Sequence, residues 1–136
     1  ENCLSLKDCR VLLVEDNEIN REIALEMLRE IGVDAESAVN GEECINMLLS
    51  HDRGYYSAVL MDIQMPVMDG YEAARKIRSF SDPLKRNIPI IAMTANAFEE
   101  DRQKAFRSGM NSHISKPIDT KLLTATLQSC LHERER

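Results

Sequence analysis

The sequence lacks the features that would mark it as a membrane or nucleic-acid-binding protein. None of its apolar runs approaches the roughly 18 residues needed to span a bilayer, and no signal peptide opens the chain. Positive charge is not in excess, because the formal net charge is −6. We therefore expect no contact of this domain with nucleic acid or with anionic membranes.

The four cysteines also lack the spacing of metal ligands. Cys44 and Cys130 stand among apolar residues at helical spacing, which predicts small buried side chains. Reduced cysteines of this kind favour a cytoplasmic location, and the parent protein could still be membrane-anchored. Cys3 and Cys9 lie near the N-terminus, where the sequence assigns them no role.

Internal repeats, low-complexity tracts and dividing linkers are absent too, so the 136 residues predict one domain. We place it at residues 10–131, preceded by a linker remnant at 1–9 and followed by a short tail at 132–136. The chain begins with Glu rather than Met, which suggests a piece of a longer protein.

Five short β-like runs alternate with five helical patterns along this domain. Three of the runs are nearly continuous apolar stretches, as is typical of strands covered by helices on both faces. The alternation predicts an α/β domain with a doubly wound parallel sheet. The runs are Val11–Val14, Asp34–Ala38, Ala58–Met61, Ile90–Met93 and His113–Ser115.

The helices are marked by periodic apolar residues and by turn signals. The first helix carries a four-residue repeat that we expect to face the core, and it ends at Gly32. Asn40-Gly41 and Asp69-Gly70 read as turns that begin helices. The repeat consists of Ile19, Ile23, Met27 and Ile31, and the last helix is marked by Leu123, Leu127, Cys130 and Leu131.

One predicted helix, Phe98–Ser108, has few apolar residues with which to pack. Only Phe98, Ala105 and Phe106 are substantial. A helix so weakly anchored is a candidate for movement rather than for core building.

Polar residues follow four of the predicted strands. They are Glu15-Asp16, Asp62, Thr94 and Lys116-Pro117. Because ligands of parallel α/β sheets bind at the carboxyl ends of the strands, these residues are expected to converge on one site.

The residue types at this edge favour phosphoryl chemistry with a metal. Three carboxylates repel one another, and two unit charges 4 Å apart cost about 4 kcal/mol at an effective dielectric near 20. A cation is therefore expected among them, and all-oxygen ligands suit Mg²⁺. Asp62 is the natural nucleophile for an acyl phosphate, with the Lys116 ammonium and the Thr94 hydroxyl beside it.

Four segments, in order along the chain, resemble the receiver domain of two-component response regulators: VLLVEDN (11–17), VLMDIQMPVMDG (59–70), IIAMTA (90–95) and SKP (115–117). The resemblance runs from about Arg10 to Leu131 and implies a flavodoxin-like fold with strand order 2-1-3-4-5. It implies that Asp62 is the phosphoacceptor and that Thr94 and Lys116 contact the phosphoryl group. The implied metal ligands are Glu15, Asp16, Asp62 and the backbone carbonyl of Gln64.

Two positions depart from the commonest pattern of the family. Glu15 stands where Asp is frequent, and its longer side chain is expected to reach the metal through water. His113 stands where the family usually has a Tyr or Phe switch. The imidazole is either a strand residue with satisfied hydrogen bonds or a smaller switch that moves inward when Thr94 turns toward phosphate.

The parent protein is expected to be a hybrid histidine kinase, since VEDNEIN and MDIQMPVMDG are most similar to receivers of that class. A receiver of a response regulator with a separate output domain is the alternative. The resemblance implies partners that carry a reactive histidine, in a kinase or phosphotransfer domain. It also implies self-catalysed phosphorylation and slow dephosphorylation, in a monomer or weak dimer.

The first helix is the expected docking element for such a partner. Asn17, Glu18, Asn20 and Ala24 are expected to face outward at its active-site end, where they mix small and polar groups. An ordinary solvated first turn is the alternative interpretation of these residues.

Three other classes of protein fit the sequence less well. A haloacid-dehalogenase-type phosphatase would need a second Asp two residues after Asp62, where Gln64 stands. A flavodoxin-like FMN carrier binds phosphate at its first loop, which here is acidic and repels phosphate. A receiver that binds a partner without phosphorylation is disfavoured, because every reactive position is filled.

Overall fold

A five-stranded parallel sheet forms the centre of the molecule in the computed structural model. The structure describes residues 9–52, 54–63, 65, 68–95, 99–116 and 118–135, with side chains up to residue 130. The strand order is β2-β1-β3-β4-β5, which confirms the predicted doubly wound sheet. The strands are β1 (Arg10–Val14), β2 (Asp34–Ala38), β3 (Ala58–Asp62), β4 (Ile90–Thr94) and β5 (Ser112–Ser115).

Five long helices cover the sheet, as predicted, and a one-turn helix, α4, accompanies them. Proline begins α4, and the Asp82 side chain accepts a hydrogen bond from the N–H of Leu84. A single turn carries no periodic pattern, so the sequence analysis missed it. The helices are α1 (Glu18–Ile31), α2 (Gly41–Ser50), α3 (Gly70–Arg78), α4 (Pro83–Arg86), α5 (Glu99–Arg107) and α6 (Thr120–Glu135).

The predicted turn signals at Asn40 and Asp69 cap α2 and α3, and Asn17, for which no cap was predicted, does the same for α1. The side chains of Asn17, Asn40 and Asp69 each accept a hydrogen bond from the backbone N–H three residues later, in α1, α2 and α3 respectively. Gly32 adopts φ +101° and ends α1, because this left-handed conformation suits glycine.

Two hydrophobic cores lie on opposite faces of the sheet. Successive strand residues alternate between them, so Leu12 packs on the side of α2 and α3, while Leu13 packs on the side of α1 and α6. Cys44 and Cys130 are buried, one in each core, as predicted. Burial raises the pKa of the Cys44 thiol to about 12, so this thiol is inert.

The predicted core face of α1 is wrong in its first turns. Ile19 is 71% exposed and Ile23 is 55% exposed, whereas Ala24 and Leu28 are buried. A strict four-residue repeat advances 400° per step, so it drifts by 40° around the helix and leaves the core face. Ala24 is therefore buried and not exposed on the outward side of α1.

The weak anchoring predicted for the helix around Phe98–Ser108 is confirmed within the described residues. Ala105 is the only buried residue of α5, and Phe106 is half exposed. Phe98 lies outside the described residues. Among the helices that the structure describes, none has both the length and the apolar character needed to cross a membrane.

Candidate functional site

Three carboxylates meet at the carboxyl edge of the sheet. Asp62 is the last residue of β3 and is 4% exposed, and Glu15, directly after β1, is 2% exposed. Asp16 follows it and is exposed. One oxygen from each of the three lies within 4.8 Å of the others. The structure thus brings together the acidic residues that the sequence placed at this edge.

The Lys116 ammonium lies between the two buried carboxylates. Its Nζ is 3.2 Å from Glu15 Oε1 and 3.2 Å from Asp62 Oδ2. Burial opposes its protonation, but the negative charges of Asp62 and Glu15 outweigh this effect and raise the pKa of Lys116. Lys116 therefore stays charged beside Asp62 near neutral pH.

Burial and the charge of Asp62 raise the pKa of Glu15. The N–H of Asn17, which donates to Glu15 Oε2 at 3.1 Å, and the Lys116 ammonium act in the opposite direction. Two carboxylates that share one ammonium remain under-compensated, so the site favours a further cation.

Thr94 lies at the same carboxyl edge of the sheet as the carboxylates. It is the last residue of β4, it is buried, and its carbonyl accepts a hydrogen bond from the N–H of Lys116 at 2.8 Å. The neighbouring residue Met93 pairs with Asp62 across the sheet. Strand register thus places a hydroxyl, an ammonium and a carboxylate side by side.

The backbone of Glu15 is held on both sides. Its N–H donates to the carbonyl of Ala38 at 3.1 Å, and Arg21 Nη1 donates to its carbonyl at 3.1 Å. Arg21 therefore ties the loop after β1 to α1. Arg21 was not predicted to act at the site, because a helical arginine gives no signal of which carbonyl it will reach.

Gly70 allows α3 to begin directly behind Asp62. A Cβ atom at this position would lie 2.7 Å from the Asp62 carbonyl oxygen and 2.7 Å from Ile63 Cα. Any larger residue would displace the backbone that carries Asp62. The sequence analysis identified Gly70 as a turn residue but missed this close approach.

Three residues that were predicted at the site are not placed in the cluster. Gln64 lies outside the described residues, as does Pro117. His113 lies on β5 and is half-buried, and its Nε2 has no hydrogen-bond partner among the described residues. Burial, followed by the Arg102 charge, lowers the pKa of His113, while Asp101 opposes the change.

A groove of about 230 Å³ opens beside Lys116, between α1 and the segment that follows β5. Apolar side chains form most of its wall, including Ile23, Met27 and Ile118, and Asn20 lies at its edge. The groove therefore joins an apolar surface of α1 to the polar cluster.

A profile of the response regulator receiver domain matches residues 11–128. This chain belongs to that family. The receiver domain is 37% identical, over 96% of its length, to Hybrid signal transduction histidine kinase K of Dictyostelium discoideum. It is also 35% identical to the sensor histidine kinase RcsC of Escherichia coli, over 88% of its length. It spans only 11% and 12% of these two proteins.

Solved receiver domains share its fold. The receiver domain of the sensor histidine kinase PA1611 from Pseudomonas aeruginosa, which has a magnesium ion coordinated in its active-site cleft, superposes with a TM-score of 0.80. It is 37% identical, and the alignment covers 91% of our receiver and 98% of that chain.

The Saccharomyces cerevisiae response regulator Ssk1 offers a second comparison, from a co-crystal structure of its receiver domain with the phosphotransfer protein Ypd1. Here the TM-score is 0.79 at 31% identity, over 93% of our receiver and 90% of that chain. Family membership decides against the phosphatase and the flavin carrier, and it confirms a two-component phosphorelay domain.

Proposed function

We propose that this receiver accepts a phosphoryl group from a phosphohistidine onto Asp62 with the help of Mg²⁺. One observation carries the proposal: the carboxylates of Glu15, Asp16 and Asp62 converge within 4.8 Å, and the Lys116 ammonium lies 3.2 Å from Asp62. Carboxylate oxygens are ligands that Mg²⁺ prefers, so the residues present fit this ion. When bound, Mg²⁺ would screen the negative charges of the phosphoryl group and the carboxylates.

Asp62, Lys116 and Thr94 have different roles in the phosphoryl transfer. An Asp62 oxygen attacks phosphorus and forms an acyl phosphate O–P bond, while the P–N bond of the phosphohistidine breaks. The electron pair of that bond returns to the imidazole, which takes up a proton. Lys116 pairs with a phosphoryl oxygen and Thr94 donates a hydrogen bond to another, which stabilises charge during the transfer. A metal contact of the Gln64 carbonyl stays a prediction.

Intact-protein mass spectrometry with acetyl phosphate and Mg²⁺ tests this function. The wild-type domain should gain one phosphoryl group, about 80 Da, and Asp62→Asn should gain none. Thr94→Ala should still be labelled, since its hydroxyl contacts the phosphoryl group and does not receive it. Asp52→Asn, at an exposed carboxylate before β3, is the matched control and should label normally. Labelling of Asp62→Asn at the wild-type level would disprove the assignment.

We also infer that the parent protein is a hybrid histidine kinase and that the partner presents a histidine on a helical bundle. The hybrid-kinase relatives and the yeast phosphotransfer complex support this inference. The exposed side chain of Ile23, which lines the groove beside Lys116, and that of Ile19, one turn earlier on α1, offer an apolar contact for such a bundle. A transient relay contact needs only a small interface, so we expect micromolar affinity. Cytoplasmic location and a monomeric or weakly dimeric state stay predictions.

Ile23→Arg tests the docking surface on α1. We expect slower transfer from the phosphotransfer domain, because a charge replaces apolar contact area, while acetyl-phosphate labelling is unchanged. Asn20→Arg should act in the same direction. Leu49→Arg, at an equally exposed apolar residue of α2, is the matched control. Ala24→Arg is unsuitable, since Ala24 is buried and the substitution would damage the fold. Normal transfer to Ile23→Arg would place docking elsewhere.

A further inference from the structure

Two hydrogen bonds fix the backbone on either side of Asp16. The carbonyl of Glu15 accepts from Arg21 Nη1 at 3.1 Å, and the N–H of Asn17 donates to Glu15 Oε2 at 3.1 Å. These backbone groups belong to the two peptide units that flank the Cα atom of Asp16. Because each peptide unit is planar, the two bonds together also fix the direction in which the Asp16 side chain leaves the backbone.

Glu15 is held by two further contacts. Its N–H donates to the carbonyl of Ala38 at 3.1 Å, and its Oε1 accepts from Lys116 Nζ at 3.2 Å. Glu15 is thus anchored to the end of β2 and to the ammonium of the site, in addition to α1. Of these contacts, that of Arg21 holds the peptide unit that leads directly into Asp16.

The first turn of α1 and the loop before it form one closed unit through Arg21. Its backbone N–H donates to the Asn17 carbonyl at 2.8 Å, while its side chain returns to the Glu15 carbonyl. Asn17 caps the same turn, because its side chain accepts from the N–H of Asn20 at 2.9 Å. The position of Asp16 therefore depends on how α1 begins.

We propose that Arg21 is a positioning residue of the metal site, whose contact with the Glu15 carbonyl aims the Asp16 carboxylate at the cation. This inference rests on the proposed function with Mg²⁺, whereas the hold of Arg21 on the loop does not. Mg²⁺ demands near-ideal octahedral geometry, so its binding is sensitive to a misplaced carboxylate, while Ca²⁺ accepts more flexible geometry. Loss of the Arg21 contact should therefore weaken the binding of Mg²⁺ more than that of Ca²⁺.

The charge of Arg21 and its contact with Glu15 predict opposite effects on metal affinity. A positive charge near the acidic cluster repels a cation, so removal of the charge alone should strengthen the binding of Mg²⁺ and Ca²⁺ alike. Removal of the contact should weaken the binding, because Asp16 loses its fixed direction. The sign of the change in affinity thus separates the two roles.

Two substitutions of Arg21 are compared. Arg21→Met keeps most of the apolar stem and removes both the charge and the donors. Arg21→Lys keeps the charge, but a single ammonium on a shorter side chain replaces the guanidinium, and this variant keeps the test available if Arg21→Met is unstable. The matched control is Arg29→Met, which removes the same charge from an exposed position in the last turn of α1.

Isothermal titration calorimetry with MgCl₂ and with CaCl₂ measures the two affinities. Arg21→Met should bind Mg²⁺ about tenfold more weakly than the wild type, the lower end of the range for residues that orient metal ligands. Its affinity for Ca²⁺ should fall by a smaller factor, and Arg21→Lys should lie between Arg21→Met and the wild type. Arg29→Met should match the wild type. Binding of Mg²⁺ to Arg21→Met as tight as to the wild type, or tighter, would overturn the positioning role.

Exchange of the Asn17 amide hydrogen with solvent, measured by NMR in chelator, tests the hold on the loop without metal. We expect about twofold to tenfold faster exchange in Arg21→Met, the factor that corresponds to the loss of one hydrogen bond, and no change in Arg29→Met. Unchanged exchange in Arg21→Met would show that Arg21 does not hold the loop and would overturn the inference. If the wild type bound no Mg²⁺, the proposed function would fail, and the exchange in chelator would still decide whether Arg21 fixes the backbone beside Asp16.

Discussion

Glu36, on the edge strand β2, is a carboxylate held by two tyrosines. The hydroxyls of Tyr55 and Tyr56 donate to its two oxygens at 2.7 Å each. Arg10 Nε lies 3.8 Å from Glu36, and its guanidinium stacks on the Tyr55 ring at 4.0 Å. The hydrogen bond from Tyr56 lowers the pKa of Glu36, and although burial opposes this change, Tyr55 and Arg10 reinforce it.

Replacement of Glu36 by Gln should cost stability that depends on pH. The folded-state pKa lies below the ordinary value of 4.5, so the ionised form stabilises the fold above that pH. This contribution is lost as the pH falls through the folded-state pKa. In urea unfolding, Glu36→Gln should be less stable than the wild type by about 1 kcal/mol at neutral pH, and the difference should shrink in acid. Glu30→Gln, on the exposed side of α1, should change little. A difference that stays constant with pH would contradict the linkage.

Among the elements, the ends of α3, α4 and α5 are joined by the guanidinium of Arg78. Its Nη1 donates to the carbonyls of Arg86 and Ile88 at 2.6 and 2.8 Å. Its Nη2 donates to Asn111 Oδ1 at 2.7 Å, and Asn111 in turn accepts from the N–H of Ile90, where β4 begins. One planar group with several donors thus sets the positions of three connections.

Arg78→Lys should destabilise the domain by about 2 kcal/mol, because a lysine keeps the charge but cannot reach carbonyls in several directions at once. Urea unfolding measures the loss. Arg107→Lys, the same change at an exposed position of α5, is the control and should alter stability by less than about 0.5 kcal/mol. Equal stability of Arg78→Lys and the wild type would show that a single ammonium can replace the guanidinium.

In the molecule as a whole, the parallel sheet collects acidic groups at one edge of a chain whose net charge is already −6. The two cores on either side of the sheet supply the stability, and the edge opposes it through repulsion. Binding of a divalent cation at this edge should therefore stabilise the entire fold.

Asp16→Asn tests this balance. Without metal the variant should be more stable than the wild type, by up to about 1 kcal/mol, because one like charge is removed. With Mg²⁺ at about 100 times its dissociation constant, the wild type should gain about 2.7 kcal/mol and the variant much less. Thermal melts in chelator and in Mg²⁺ measure both effects, with Asp52→Asn as the control. A variant less stable than the wild type in chelator would contradict the repulsion.

The strands, the caps of α2 and α3, and the site residues at the strand ends could all be predicted from the sequence. These features are local: buried parallel strands require apolar runs, Asn40 and Asp69 cap the helices that follow them, and chain order alone brings the ends of parallel strands to one edge. Glu15 and Asp62 could therefore be assigned to one cluster from patterns of a few residues.

Three features depend on the tertiary structure. They are the buried side of α1, the close approach of Gly70 to the Asp62 carbonyl, and the carbonyls that Arg21 and Arg78 reach. Each depends on the angle and distance at which one element packs on another, and apolar spacing within an element does not encode these quantities. A four-residue repeat was compatible with more than one rotation of α1. The packing of Ala24 and Leu28 selected one, and it left Ile19 and Ile23 exposed.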